Sequence, residues 1–307
     1  GDLAKELIED GIVAMKIGPT IPVATPSEGQ YLAPNELDHV LKPFRDIRDA
    51  VGGDIKIAND GHGKWSLPVA IQIAKEMEKL DIMWQEDLMP LLNPQSLRQL
   101  QEATTTPVCI SERLLTRWQF REFIENGAAQ IVMPDLIWTG GITETHRIAI
   151  MASAHQVPVA PHDATGPVNI FACAQICMNS PNAMIMEHVR PYLYGWYGEM
   201  VDPLPPIENG WLHAPENPGI GTRLRPEVFD RPDVETRVTG VDAMIPGMSD
   251  EGWAGVGLYD PKLSTDNFST AMWSDMENIF EFRAQESRLE EHFETKTDEA
   301  QNAGDSK

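Results

Sequence analysis

The sequence predicts an α/β fold, a closed (β/α) barrel followed by an acidic extension, and three observations carry that reading. Seven short β-rich apolar runs recur between residues 12 and 186, with helical patterns between them. No Gly-rich phosphate loop follows the first run, which disfavours an open doubly wound sheet. An ionisable residue follows six of the runs in turn, at the position where a barrel places its chemistry.

Taken in order, the chain opens on DLAKELIEDG, a crossover-helix pattern with no strand before it. IVAMKI (12–17) is the first run, and the Pro-rich stretch PTIPVATPSEGQYLAPNE (19–36) after it reads as a loop that shapes specificity. IKIAN (55–59) and IMWQ (82–85) are the next two runs. Between them SLPVAIQIAKEMEKL repeats apolar residues at three- and four-residue steps, with Ser66 as a candidate N-cap. PVCIS (107–111), AQIVM (129–133), VPVA (157–160) and AMIM (183–186) complete the series. A closed barrel needs eight strands, so the chain is expected to lack its first strand. The barrel domain is expected to span residues 1–229. Residues 230–307 form an acidic extension, with a candidate amphipathic helix from Ala271 and a disordered end. GWAGVG, from Gly252, has the wrong order and context for a dinucleotide fingerprint.

Charge and composition narrow the function. With 47 acidic against 24 basic residues the formal net charge is -23, and a polyanion such as nucleic acid would meet a repelling field. No apolar run is long enough to span a membrane, and no secretion signal opens the chain. Cys109, Cys173 and Cys177 are too few and too scattered for a disulfide scaffold, so a cytoplasmic location is expected.

The residues at the run ends are Asp60, Glu86, Glu112, Asp135, His162 and Glu187, spaced by 26, 26, 23, 27 and 25 residues. Each interval is one strand-helix unit, so successive strands deliver one group each to a common rim. Three neighbouring carboxylates would repel one another unless a cation joined them, and Asp60, Glu86 and Glu112 are hard oxygen ligands suited to Mg²⁺. Asp87 follows Glu86 directly and should face the other way, leaving one ligand from the pair. Asp135 and His162 end neighbouring strands, an arrangement that fixes an imidazole tautomer and makes a general base. His62, two residues past Asp60, is the candidate acid.

These residues resemble the enolase superfamily, in its mandelate racemase and muconate lactonizing enzyme branch. The likeness runs from about Asp2 to Phe229 through DGHGKW, WQED, SER, PDL, GGITE, APHDATGP and IMEH. Asp60-Gly61-His62-Gly63 with the Asp135/His162 pair is most similar to sugar-acid dehydratases of the galactonate type. The resemblance implies a (β/α)7β TIM-like barrel, here without the family's N-terminal capping domain, and a symmetric homo-oligomer. It implies a lyase: Mg²⁺ held by Asp60, Glu86 and Glu112, α-proton abstraction by His162 oriented by Asp135, and elimination of a β-hydroxyl protonated by His62. Glu187 would hydrogen-bond the substrate carboxylate or enediolate, Lys16 would contact the same carboxylate, and the product would be a 2-keto-3-deoxy acid.

Three positions depart from the branch. Gly18 stands where racemases and cycloisomerases carry a second lysine, which disfavours a two-base epimerase or cycloisomerase. Leu88 replaces a proline and Ser111 a common glycine, and neither is expected to touch the chemistry. A third reading is an inactive truncated barrel serving as an assembly module.

Overall fold

Apolar residues at alternate positions of short strands and at helical spacing between them require two packed layers, and the chain builds them. The computed structural model describes residues 1–18, 29–189 and 196–232. Strands β1 (Ala14–Ile17), β2 (Lys56–Asp60), β3 (Ile82–Glu86), β4 (Val108–Ile110) and β5 (Ile131–Val132) form one parallel sheet in sequence order. The helices are α1 (Asp2–Glu9), α2 (Pro34–Val51), α3 (Leu67–Met77), α4 (Pro94–Glu102), α5 (Thr116–Glu125), α6 (Leu136–Thr139), α7 (Gly141–Ala154) and α8 (Pro167–Asn179). A sequential order means every crossover advances the same way, whereas a doubly wound sheet reverses direction.

The sixth and seventh expected strands are reduced to isolated parallel bridges, Val132 to Val159, Asp135 to His162 and Val159 to Ala183. Proline explains the shortening: Pro158 and Pro161 flank this segment and have no N–H to give a ladder. The carbonyls still pair, with Val132 N–H donating to Pro158 O at 3.1 Å and Glu187 N–H to Pro161 O at 3.1 Å. Chain order therefore continues through seven parallel segments.

The first and last of them meet across the sheet. Lys16 Nζ on β1 lies 2.8 Å from Glu187 Oε1, just past the seventh segment. Six flat inter-strand steps would hold them about 29 Å apart, so the sheet curls strongly.

Two apolar clusters follow from strand periodicity. Ile57, Val108, Ile110 and Val132 pack outward against helix residues such as Val69, Ile73, Leu97, Leu100, Phe120 and Ile148. Ala58, Trp84, Cys109, Ile131, Met133 and Ala160 form a second cluster in the concave interior. Burying each of the larger outward side chains contributes about 1.5–3 kcal/mol.

Local signals explain the helix starts. Ser66 precedes α3 as expected, but its side chain makes no cap bond and reaches Gln30 O at 3.4 Å instead. The end of the expected Pro-rich loop is helical: Pro34 opens α2, and Glu36 Oε2 accepts from Ala33 N–H at 2.6 Å. Short antiparallel pairs follow, β6 (Val201–Asp202) with β9 (Arg223–Leu224) and β7 (Ile207–Glu208) with β8 (Trp211–Leu212). One compact unit spans Gly1–Val234. The amphipathic stretch from Ala271 lies outside the described residues.

Candidate active site

Strand alternation sets the site. Ala58 and Trp84 point into the concave interior, so Asp60 and Glu86, two residues on and paired in register, emerge on the same side one layer higher. Lys16 is in register with Ala58 and joins them. Its Nζ stands 2.8 Å from Glu86 Oε1, 2.8 Å from Glu187 Oε1 and 3.9 Å from Asp60 Oδ2. Burial alone would push this ammonium down, yet Glu86, Glu187 and Asp60 outweigh it and hold it well above the ordinary lysine value. Trp84 donates its indole N–H to Glu86 Oε2 at 3.0 Å, so both oxygens of this fully buried carboxylate are engaged.

His62 folds back on the same cluster. A left-handed backbone at His62 (φ 48°) lets its amide donate to Asp60 Oδ1 at 3.0 Å while Nε2 lies 2.9 Å from Asp60 Oδ2. Burial would raise the Asp60 carboxyl, but the His62 hydrogen bonds and the Lys16 charge win and keep it below the usual range.

On the opposite side, Asp135 does two jobs. Its Oδ1 caps α6, accepting from Ile137 N–H at 2.8 Å and Trp138 N–H at 3.4 Å, and its Oδ2 lies 2.8 Å from His162 Nδ1. An ionised carboxylate there makes Nδ1 the donor and leaves Nε2 facing the site. Nε2 stands 3.6 Å from Glu187 Oε2 and 3.7 Å from Glu112 Oε2. Burial works against a charged imidazole, but the Asp135 bond and the charges of Glu187 and Glu112 raise His162 to about 9.

The eight residues picked out from sequence thus form one neighbourhood, with His62 on Asp60 and the rest divided around two cations. Lys16 gathers Asp60, Glu86 and Glu187, and His162 gathers Asp135, Glu112 and Glu187. Among the described residues no three acid, histidine or cysteine side chains stand in a ready-made coordination geometry. Lys16 occupies the space between Asp60 and Glu86. The donor set nevertheless fits a hard divalent cation: Asp60, Glu86 and Glu112 supply carboxylate oxygens alone. Burial, outweighing the Lys16 charge, and then repulsion from Asp60, Glu187 and Glu112 raise Glu86 to about 7, the mark of a cluster short of positive charge.

Comparison with known proteins bears on this arrangement. Residues 1–228 match the family model for the enolase C-terminal domain-like fold. The chain belongs to this enolase family. It is 32% identical over 195 residues to a D-xylonate dehydratase from Haloferax volcanii, covering 64% of this chain and 47% of that protein. It is 29% identical over 228 residues to a D-galactonate dehydratase from Variovorax paradoxus, covering 73% and 58%. The chain spans about half the length of these curated relatives. Among solved structures, an enolase of the mandelate racemase subgroup from Agrobacterium tumefaciens superposes with a TM-score of 0.70 at 40% identity, covering 75% of this chain and 62% of that one. An enolase protein from Sargasso Sea environmental sequencing gives 0.71 at 35% identity, covering 76% and 62%.

Within this enolase-type site the structure adds residues that strand alternation could not place. Asp87 leaves β3 through a left-handed turn (φ 40°) and accepts from Ser111 N–H at 3.2 Å, with its Oδ2 standing 2.7 Å from Ser111 Oγ. Ser111, expected to stand clear of the chemistry, also hydrogen-bonds Glu112 Oε2 through its hydroxyl. The contact arises because strand β4 ends at Ile110 and the following turn brings Ser111 back onto its neighbour. Trp84, two residues before Glu86, was legible as a same-face neighbour.

Proposed function

We propose that this protein dehydrates a sugar acid, an aldonate or aldarate, to a 2-keto-3-deoxy acid. The observation that carries the reading is the His162–Asp135 pair beside Glu187, which also holds Lys16, in one cluster with Asp60, Glu86 and Glu112. The D-xylonate and D-galactonate dehydratases named above support it.

Lys16 and Glu187 would hold the substrate carboxylate, one by charge and the other by hydrogen bonding. Mg²⁺ held by Asp60, Glu86 and Glu112 would supply positive charge to offset the negative charge that develops on that carboxylate. Were Glu112 engaged by such a cation, one fewer carboxylate would hold the proton on His162, whose imidazole would become neutral at lower pH. His162 Nε2 then takes the α-proton, and Asp135 stabilises the imidazolium. The freed C–H electron pair forms the α,β double bond as the β-carbon–oxygen bond breaks. His62 protonates the departing hydroxyl, water leaves, and the enol tautomerises to the 2-keto acid. Gly18, where a second base would stand, argues against the epimerase or cycloisomerase alternative.

The test is incubation with a panel of aldonic and aldaric acids and Mg²⁺ in deuterated water, with assay of 2-keto acids and of α-proton exchange. Product from at least one acid is expected. Neither product nor exchange with any acid would sink the dehydratase reading.

A further inference from the structure

We propose that Ser111 is a positioning residue whose hydroxyl fixes the orientation in which the Glu112 carboxylate faces a divalent cation. This rests on the cation reading above and extends it to a residue outside the three carboxylates. Ser111 is buried, and its hydroxyl lies between two carboxylates, 2.7 Å from Asp87 Oδ2 and in hydrogen-bond contact with Glu112 Oε2. Among the described residues it is the only hydrogen-bond donor to Glu112. Two cationic groups also face that carboxylate, His162 Nε2 at 3.7 Å and the ammonium of Lys16.

Asp87 holds the serine in place. It is fully buried, fixed by its left-handed turn, and faced by Arg113 Nε at 3.7 Å. Its Oδ1 takes the Ser111 backbone N–H at 3.2 Å, a bond that survives any side-chain change at 111. The backbone therefore anchors Asp87 to the β4 turn, and the single hydroxyl proton of Ser111 is left to be donated to Glu112. A glutamate has three rotatable bonds, and a free one would have to be ordered each time a cation is bound. The Ser111 bridge orders it beforehand, as the outer hydrogen-bond partners of metal-ligating carboxylates do.

The test measures Mn²⁺ affinity in the substrate-free protein by electron paramagnetic resonance titration, with thermal unfolding to establish that each variant folds. Ser111→Ala is expected to weaken Mn²⁺ binding by about tenfold or more, the range seen when an outer partner of a metal ligand is removed. Ser111→Thr keeps the hydroxyl and is expected to stay within about threefold of the unsubstituted protein. Equal affinity in the alanine variant, or an equal loss in the threonine variant, would overturn the role of Ser111 while leaving the cation site standing. No Mn²⁺ binding by the unsubstituted protein would overturn the cation reading itself and Ser111's role with it. Should Ser111→Ala fail to fold, Ser111→Gly carries the same expectation and the same overturning result.

Discussion

Asp163, beside His162 in sequence, has a setting unlike that of its neighbours in the site. Its Oδ1 accepts from Thr165 N–H at 3.3 Å and Asn169 Nδ2 at 3.1 Å, while Oδ2 is buried without a partner among the described residues. Burial outweighs those bonds and raises the carboxyl to about 7. Its unfolded value is about 3.9, so between roughly pH 4 and 7 the folded protein binds more protons than the unfolded one. Stability from this group is therefore lost as pH rises through that window, by a few kcal/mol at most at about 1.4 kcal/mol per unit. Asp163→Asn cannot ionise, and its urea midpoint is expected to exceed that of the unsubstituted protein by a wide margin at pH 8 and by a much smaller one at pH 5. The same offset at both pH values would place the proton elsewhere. His162→Asn is expected to lower turnover by about 10²-fold or more through loss of the base, with unfolding little changed because Asp135 still caps α6. Unchanged turnover would remove His162 from its role. His162 was legible because it closes a run in APHDATGP. Asp163 was not, since alternation assigns it only to the other face and says nothing of what lies there.

At the level of elements, the rim holds its shape where the loops after β2 and β3 touch. Gly61 donates to Glu86 O at 2.8 Å, and a Cβ on it would lie 2.7 Å from Leu88 Cα and 3.0 Å from Asp87 O. Those are backbone atoms and cannot rotate aside. Gly61→Ala is expected to cost about 1–3 kcal/mol of unfolding free energy and to weaken Mn²⁺ binding, because it pushes Asp60 and Glu86 apart. Asn93→Ala offers a contrast. It removes an α4 cap that accepts from Gln95 and Ser96 N–H, and should cost about 1 kcal/mol with cation affinity unchanged. Equal effects of both on the cation would mean that the loop contact is not what spaces the carboxylates. Seven runs and their intervening helices could be read from apolar spacing alone, because each strand pairs with its neighbour in sequence. What spacing could not show was how Pro158 and Pro161 would thin the last two pairings, or that left-handed turns at His62 and Asp87 would redirect side chains past the strand ends. Those depend on contacts between elements far apart in the chain.

For the whole molecule, charge is the deciding quantity. A net charge of -23 repels itself, and within the site Asp60, Glu86, Glu112, Asp135 and Glu187 gather around the cations Lys16 and His162 and the half-exposed His62. A cation that binds this cluster binds the folded state alone, since the unfolded chain scatters carboxylates that the fold gathers from successive strands. At about a hundred times its dissociation constant, such a ligand stabilises by about 2.7 kcal/mol. For a unit of this size that corresponds to a rise in Tm of about 5–10 °C. Screening of the general negative charge also raises Tm, however, so Mg²⁺ must be compared with NaCl at equal ionic strength. The two effects differ in form: site binding saturates at low concentration, whereas screening grows gradually with salt. A saturable increase specific to Mg²⁺ or Mn²⁺, abolished in Glu86→Gln, is the expected result. An increase that NaCl reproduces fully would assign the stabilisation to surface charge, leaving Lys16 and His162 as the only cations the carboxylates require.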